Sequence, residues 1–183
     1  VPGLFNRIRT LIKELSSEND KAITLSCVVQ SDNFRDLIRM AELAREWNVR
    51  MNFSAYTYLR TNNKEFMIPR HELIEFKDII IQLLEFKRKY KNIFSSDYVL
   101  KKMIEFFKEE SFPNCRAGER FLVVNHDGTL SPRGLIIKKY KSQKEIKQDF
   151  MKNNNCVYCY TSLRANVERP EWYLVMDNIK ALR

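Results

Sequence analysis

Three cysteines carry most of the chemistry this chain could perform. Cys115 opens the stretch Cys115-Arg116-Ala117-Gly118, and Cys156 and Cys159 form a C-x2-C pair much further along. Thiolates are soft ligands for zinc and for iron–sulfur clusters. Two intervening residues let two sulfurs from one tight turn reach one metal centre. Thioredoxin-like redox sites share this spacing, but no strand and proline turn of that kind precedes this pair. Cys115 adds a third soft donor from a distant segment. The pattern points to a metal or cluster site, with incidental cysteines as the plainer alternative. His126 is a further possible donor, at the tip of a turn. The fourth cysteine, Cys27, lies in the apolar run Thr24-Leu25-Ser26-Cys27-Val28-Val29 and reads as a small buried hydrophobe.

The elements that must position these sulfurs can be read from hydrophobic periodicity. Leu4, Phe5, Ile8, Leu11, Ile12 and Leu15 recur at helical spacing over 3–16. Residues 21–30 form a nearly continuous apolar run, which predicts a strand covered on both faces, as in parallel sheets. A helix capped by Ser31 or Asp32 follows, with Phe34, Leu37, Ile38, Ala41 and Ala44 inward. Residues 49–58 predict a second strand, and 70–90 a long helix that ends in Lys87-Arg88-Lys89, where cations suit the helix dipole. Another helix runs from Ser95 or Ser96 to about residue 109. From Phe112 the character changes. Phe121 to Val124 and Leu130 flank Asn125-His126-Asp127-Gly128, a hairpin turn signal. Residues 142–153 predict a short helix, the cysteine pair follows, and Pro170 starts a final helix carrying Trp172, Leu174, Val175, Ile179 and Leu182. The natural boundary lies near 110–114. Two strands among several helices make an incomplete α/β unit, so 1–110 reads as a piece of a larger barrel or sheet.

Composition narrows the function classes. The chain has 183 residues, 44% hydrophobic and 12% aromatic, enough for a real core. With 30% charged residues and only four Gly and five Pro, it does not read as disordered. No apolar run approaches the roughly 18 residues of a membrane span, and Val1-Pro2-Gly3-Leu4 lacks the regions of a signal peptide. A start without Met reads as a piece of a longer protein. Four cysteines are too few for a disulfide scaffold, so a reducing, cytoplasmic location is expected. The net charge of +9 is compatible with solvated helix faces, an acidic partner or a phosphate-bearing ligand. No helix-turn-helix, RNP or zinc-finger pattern supports nucleic acid.

The stretch Asn114-Cys115-Arg116-Ala117-Gly118 … Asp127-Gly128 … Pro132 … Cys156-Val157-Tyr158-Cys159 resembles the SPASM/twitch extension of radical S-adenosylmethionine enzymes. Val1 to Phe5, Ile23 to Asn33 and Met51 to Thr57 resemble that family's segment entering the fourth barrel helix and its fifth and sixth strands. The resemblance implies an α/β fold. Residues 1–110 would be the C-terminal portion of a partial (β/α) barrel, and 111–183 a small α+β twitch-like domain with a β-hairpin. It implies an auxiliary 4Fe–4S cluster on Cys115, Cys156 and Cys159. S-adenosylmethionine would be bound only in the intact parent, where Ser26, Gln30, Asn33 and Tyr56 are candidate contacts at the strand ends. Two departures stand out. The C-x3-C-x2-C signature is absent, so this fragment alone should be inactive. Arg133 follows Pro132 where the family places a cysteine, which leaves three thiolates and an open, borrowed or lost fourth ligand.

The expected function is therefore that of a C-terminal fragment of a radical S-adenosylmethionine oxidoreductase, its auxiliary site used for substrate binding or electron transfer. The substrate is not legible. The alternative is a non-catalytic zinc-binding or basic interaction domain. Arg116 and Arg133 could offset cluster charge or bind an anion. Tyr158 and Tyr160 are expected to pack around the site. The open edges of a half barrel favour a homo-oligomer.

Overall fold

A computed structural model describes residues 3–17, 23–59, 62–134, 136–173 and 175. Its first half alternates helix and strand as the periodicity requires. Helix α1 spans Leu4–Ser17, strand β1 Thr24–Val29, helix α2 Leu37–Glu46 and strand β2 Arg50–Ala55. Helices α3 (Leu73–Tyr90) and α4 (Asp97–Glu109) follow. β1 and β2 pair in parallel, Leu25 opposite Met51 and Val29 opposite Ala55. Ile93 adds a parallel bridge on the far side of β2, at Met51. The architecture is mixed α/β, with no closed barrel among the described residues.

The core lies on one side of this sheet. Phe53 and Val29 point into it from the strands, and Phe34, Leu37, Phe76, Leu83, Phe106 and Phe107 meet them from the helical layer, all buried. Edge-to-face aromatic contacts run through it. Phe34 meets Phe76 at 5.7 Å and Phe76 meets Phe107 at 5.5 Å, the geometry that ring quadrupoles favour. The same core crosses residues 110–114. Tyr160 is fully buried against Phe106 and Phe112, and its hydroxyl donates to Val99 O at 2.8 Å.

One local expectation is corrected. β1 is not covered on both faces: its residues alternate and Val28 is 51% exposed. It is the outer strand of a two-stranded sheet. The apolar stripe of α1 is mostly open as well. Only Ile12 is buried, whereas Leu4, Phe5, Ile8 and Leu11 are 45–60% exposed. Phe5 meets Trp47 of the core at 6.1 Å.

In the C-terminal third, β3 (Val123–Val124) and β4 (Leu130–Ser131) form the expected antiparallel hairpin. Its Asp127-Gly128 turn places Gly128 at φ 77°. The segment expected as one helix changes pitch twice: α5 (Gln143–Glu145) passes into a π turn (Ile146–Phe150) and then a 3-10 turn (Met151–Asn153). A further short helix, α6 (Ser162–Glu168), lies between the cysteine pair and Pro170. Of the final helix, Trp172 and Val175 are described and are both 59% exposed. Leu174, Ile179 and Leu182 lie outside the described residues.

One buried hydroxyl ties the sheet to the helical layer. Ser95 accepts from Phe53 N at 2.8 Å and donates to Asn52 Oδ1 at 2.9 Å, and its carbonyl accepts from Lys87 Nζ at 2.8 Å. Ser95→Ala would leave a buried backbone N–H unsatisfied. The expected cost is about 1–3 kcal/mol, measured as a lowered midpoint in urea unfolding. An unchanged midpoint would show that the hydroxyl is dispensable.

Candidate functional site

The Cys-x-Ala-Gly stretch is built for a tight, buried turn. Asn114 sits at φ 59° and Gly118 at φ 83°, the left-handed region that glycine tolerates best. A Cβ on Gly118 would collide with the Ile146 side chain. Ala117 is fully buried, and Gly118 N donates to Phe121 O at 2.7 Å. Ile146 of the π turn therefore packs tightly against this loop.

The C-x2-C segment is docked beside it by three sets of bonds. Phe112 N donates to Val157 O at 2.7 Å. Asn154 donates through Nδ2 to Cys115 O at 2.8 Å, and its Oδ1 accepts from Cys156 N at 3.2 Å. Arg164 donates to Cys159 O, Phe112 O and Pro113 O at 2.6–2.8 Å. The segment also reaches the sheet. Thr57, just past β2, donates its hydroxyl to Tyr158 O at 2.8 Å, and Tyr58 meets the Tyr158 ring edge-on at 6.1 Å. The cysteines thus stand at the C-terminal end of β2.

All three sulfurs converge on one guanidinium. Arg133, just after β4, is 5% exposed. Its Nη1 donates to Cys159 Sγ at 2.8 Å and its Nη2 to Cys156 Sγ at 2.7 Å, with Cys115 Sγ 4.0 Å from Nη1. Burial works against the Arg133 charge, but Cys159, Cys156 and Cys115 outweigh it and raise its pKa. Burial also raises the Cys159 thiol, against the pull of Arg133 and Arg164. Arg133 Nε is buried with no hydrogen-bond partner among the described residues. A buried cation surrounded by sulfur acceptors is a costly arrangement, because thiols are weak acceptors and burying charge is expensive. The four cysteines are all free. Among the described residues, no three His, Cys, Asp or Glu side chains stand close enough about one point to hold a metal ion as placed.

The other candidates are dispersed. Ser26 accepts from Asn52 Nδ2 at 3.5 Å. Asn33 accepts from Gln30 N at 3.0 Å and donates to Val28 O at 2.9 Å, closing the turn after β1. The Tyr56 hydroxyl donates to Asn63 O at 2.9 Å. These four residues lie along β1 and past the strand ends, and these bonds join them to near neighbours. Arg116 pairs with Glu119 through Nε at 2.9 Å, and its side chain is 41% exposed. His126 is exposed on the hairpin. Tyr160 packs into the core rather than around the thiols, and Tyr158 is half-exposed.

Asn154, Arg164 and Glu168 do not stand out in the sequence, although all three shape the site. Signals for α6 are present: Thr161 accepts from Arg164 N as an N-cap, Pro170 ends the helix, and Arg164 and Glu168 are four apart. No protein-family model, curated protein or solved structure matches the chain.

Cys27 is chemically separate from the trio. Burial pushes its thiol from the ordinary 9.0 up to about 11. The folded chain therefore keeps this proton to higher pH than the unfolded chain does. The Cys27 contribution to stability is complete below pH 9.0 and is lost as the pH rises towards about 11. Alkylation of Cys27 followed against pH should show a midpoint near 11. A midpoint at the ordinary thiol value would contradict its burial.

Proposed function

We propose that this chain is the C-terminal part of a radical S-adenosylmethionine oxidoreductase, and that Cys115, Cys156 and Cys159 hold an auxiliary 4Fe–4S cluster. The observation that carries the reading is the convergence of three thiols, from two distant segments, within 4.0 Å of one buried cationic group. The donors are soft, which suits iron–sulfur chemistry.

Held by Cys115, Cys156 and Cys159, a cluster would supply electron transfer or substrate binding. The chain's own residues do the rest. The loop at Gly118 presents Cys115, the turn after Asn154 presents the pair, and Thr57 anchors that turn at the C-terminal end of β2. Barrel enzymes build their sites at that end of the strands, which is where Gln30, Asn33 and Tyr56 also lie. Arg133 supplies positive charge where a fourth thiolate would stand, which favours an anionic substrate group at that position. S-adenosylmethionine would be bound and cleaved in the other half of the parent's barrel. Free thiols suit a reducing, cytoplasmic setting.

The zinc reading is the alternative, with the positive net charge serving an acidic partner. No helix among the described residues is long and apolar enough to cross a membrane. We also infer self-association along β1, supported by its outer edge, the exposed Val28 and the open stripe of α1. A clean monomer by light scattering at high concentration would contradict that.

Anaerobic reconstitution with iron and sulfide separates the two metal readings. The expected product is brown, with iron and inorganic sulfide bound in equal amounts. A colourless chain holding stoichiometric zinc sinks the cluster. Cys156→Ala and Cys159→Ala should each abolish iron retention, while Cys27→Ala leaves it intact. Equal loss in all three would mean the site is misplaced. Arg133→Cys, which adds a fourth thiolate, should slow cluster loss during gel filtration, and faster loss would show that Arg133 does not stand in a ligand position.

A further inference from the structure

The Arg133 guanidinium bonds to the sulfurs, so the backbone of the two cysteine segments must be fixed by other groups. We propose that Arg164 and Glu168 of α6 form the positioning pair of the thiol site, a role that rests on the cluster reading above for its purpose but not for its geometry. The pair is buried, with side chains 1% and 7% exposed, and is joined through Arg164 Nε and Glu168 Oε2 at 2.8 Å. Arg164 Nη1 donates to Cys159 O at 2.8 Å. Its Nη2 donates to Phe112 O at 2.6 Å and to Pro113 O at 2.8 Å, and its guanidinium lies 4.5 Å from the centre of the Phe112 ring. Glu168 Oε1 accepts from Arg116 N at 2.7 Å. One ion pair therefore grips the chain on both sides of Cys115 and at Cys159 itself.

The chemistry demands this pair of residue types. A planar guanidinium spreads several N–H donors in fixed directions and can serve three carbonyls and a carboxylate together, which a lysine ammonium cannot. Glu168 balances the charge and turns its second oxygen to the N–H after Cys115. Breaking a buried pair by removing one partner leaves an unpaired charge, so neither residue works without the other. The grip is also selective. Cys156 N bonds to Asn154 and not to the pair, and Cys27 lies in β1; Asn154 also donates to Cys115 O, a single bond beside those the pair makes at Pro113 and Arg116. Loss of the pair should free Cys115 and Cys159 while leaving Cys156 and Cys27 nearly unchanged.

The test is cysteine-by-cysteine alkylation of the whole reduced, metal-free chain, read by mass spectrometry, for wild type, Arg164→Lys and Glu168→Gln. In both variants Cys115 and Cys159 should react about tenfold faster, as expected for losing charged hydrogen bonds, and Cys156 and Cys27 should stay within about twofold. Unchanged rates at Cys115 and Cys159 overturn the proposal. So does a uniform rise at all four cysteines in Glu168→Gln, the isosteric change, because the pair would then be a general stabiliser. If Arg164→Lys fails to fold, the selective pattern in Glu168→Gln still decides. A parallel iron-loading arm keeps the two readings apart. Wild type that takes up no iron ends the cluster reading, while the alkylation pattern stands by itself; wild type that loads beside variants that do not supports both.

Discussion

The site depends on the buried ion pair between Arg164 and Glu168. Its bonds reach Phe112, Pro113, Arg116 and Cys159, so it joins the loop that leaves α4 to the turn that carries the cysteine pair. The Cys115 loop and the C-x2-C turn are distant in sequence, and neither is part of a regular element that would hold it. A short helix with one arginine and one glutamate replaces the sheet ladder that a larger domain would use. Tyr160, buried between Phe106 and Phe112, anchors this arrangement to the main core.

The second constraint is electrostatic. Arg133 is buried among sulfurs and leaves one nitrogen without a partner among the described residues. A stable structural arginine usually finds a carboxylate or several carbonyl oxygens. This one finds three thiols. That mismatch gives the position after Pro132 a meaning that a surface arginine would not have.

Much of the scaffold is legible in the sequence. Apolar spacing locates α2, α3 and α4, and the Asp127-Gly128 turn locates the hairpin. The three cysteines are legible as a set, and the structure brings them together around Arg133, the residue that stands where a fourth ligand is expected. Other features are not legible, for identifiable reasons. The continuous apolar run of β1 suggests two covered faces, but a run of that kind reports hydrophobicity and not what is present to cover it. α6 escapes detection because seven residues give too short a window for periodicity. The role of Asn154 depends on contacts made across the fold, which no local pattern records.

X-ray absorption at the iron edge of the anaerobically reconstituted chain decides whether the three thiols share one polynuclear iron centre, as proposed. The expected result is a sulfur-dominated shell with short iron–iron scattering, and loss of that signal when Cys159 is replaced by alanine. A shell of oxygen or nitrogen neighbours without iron–iron scattering, unchanged by that substitution, would contradict it.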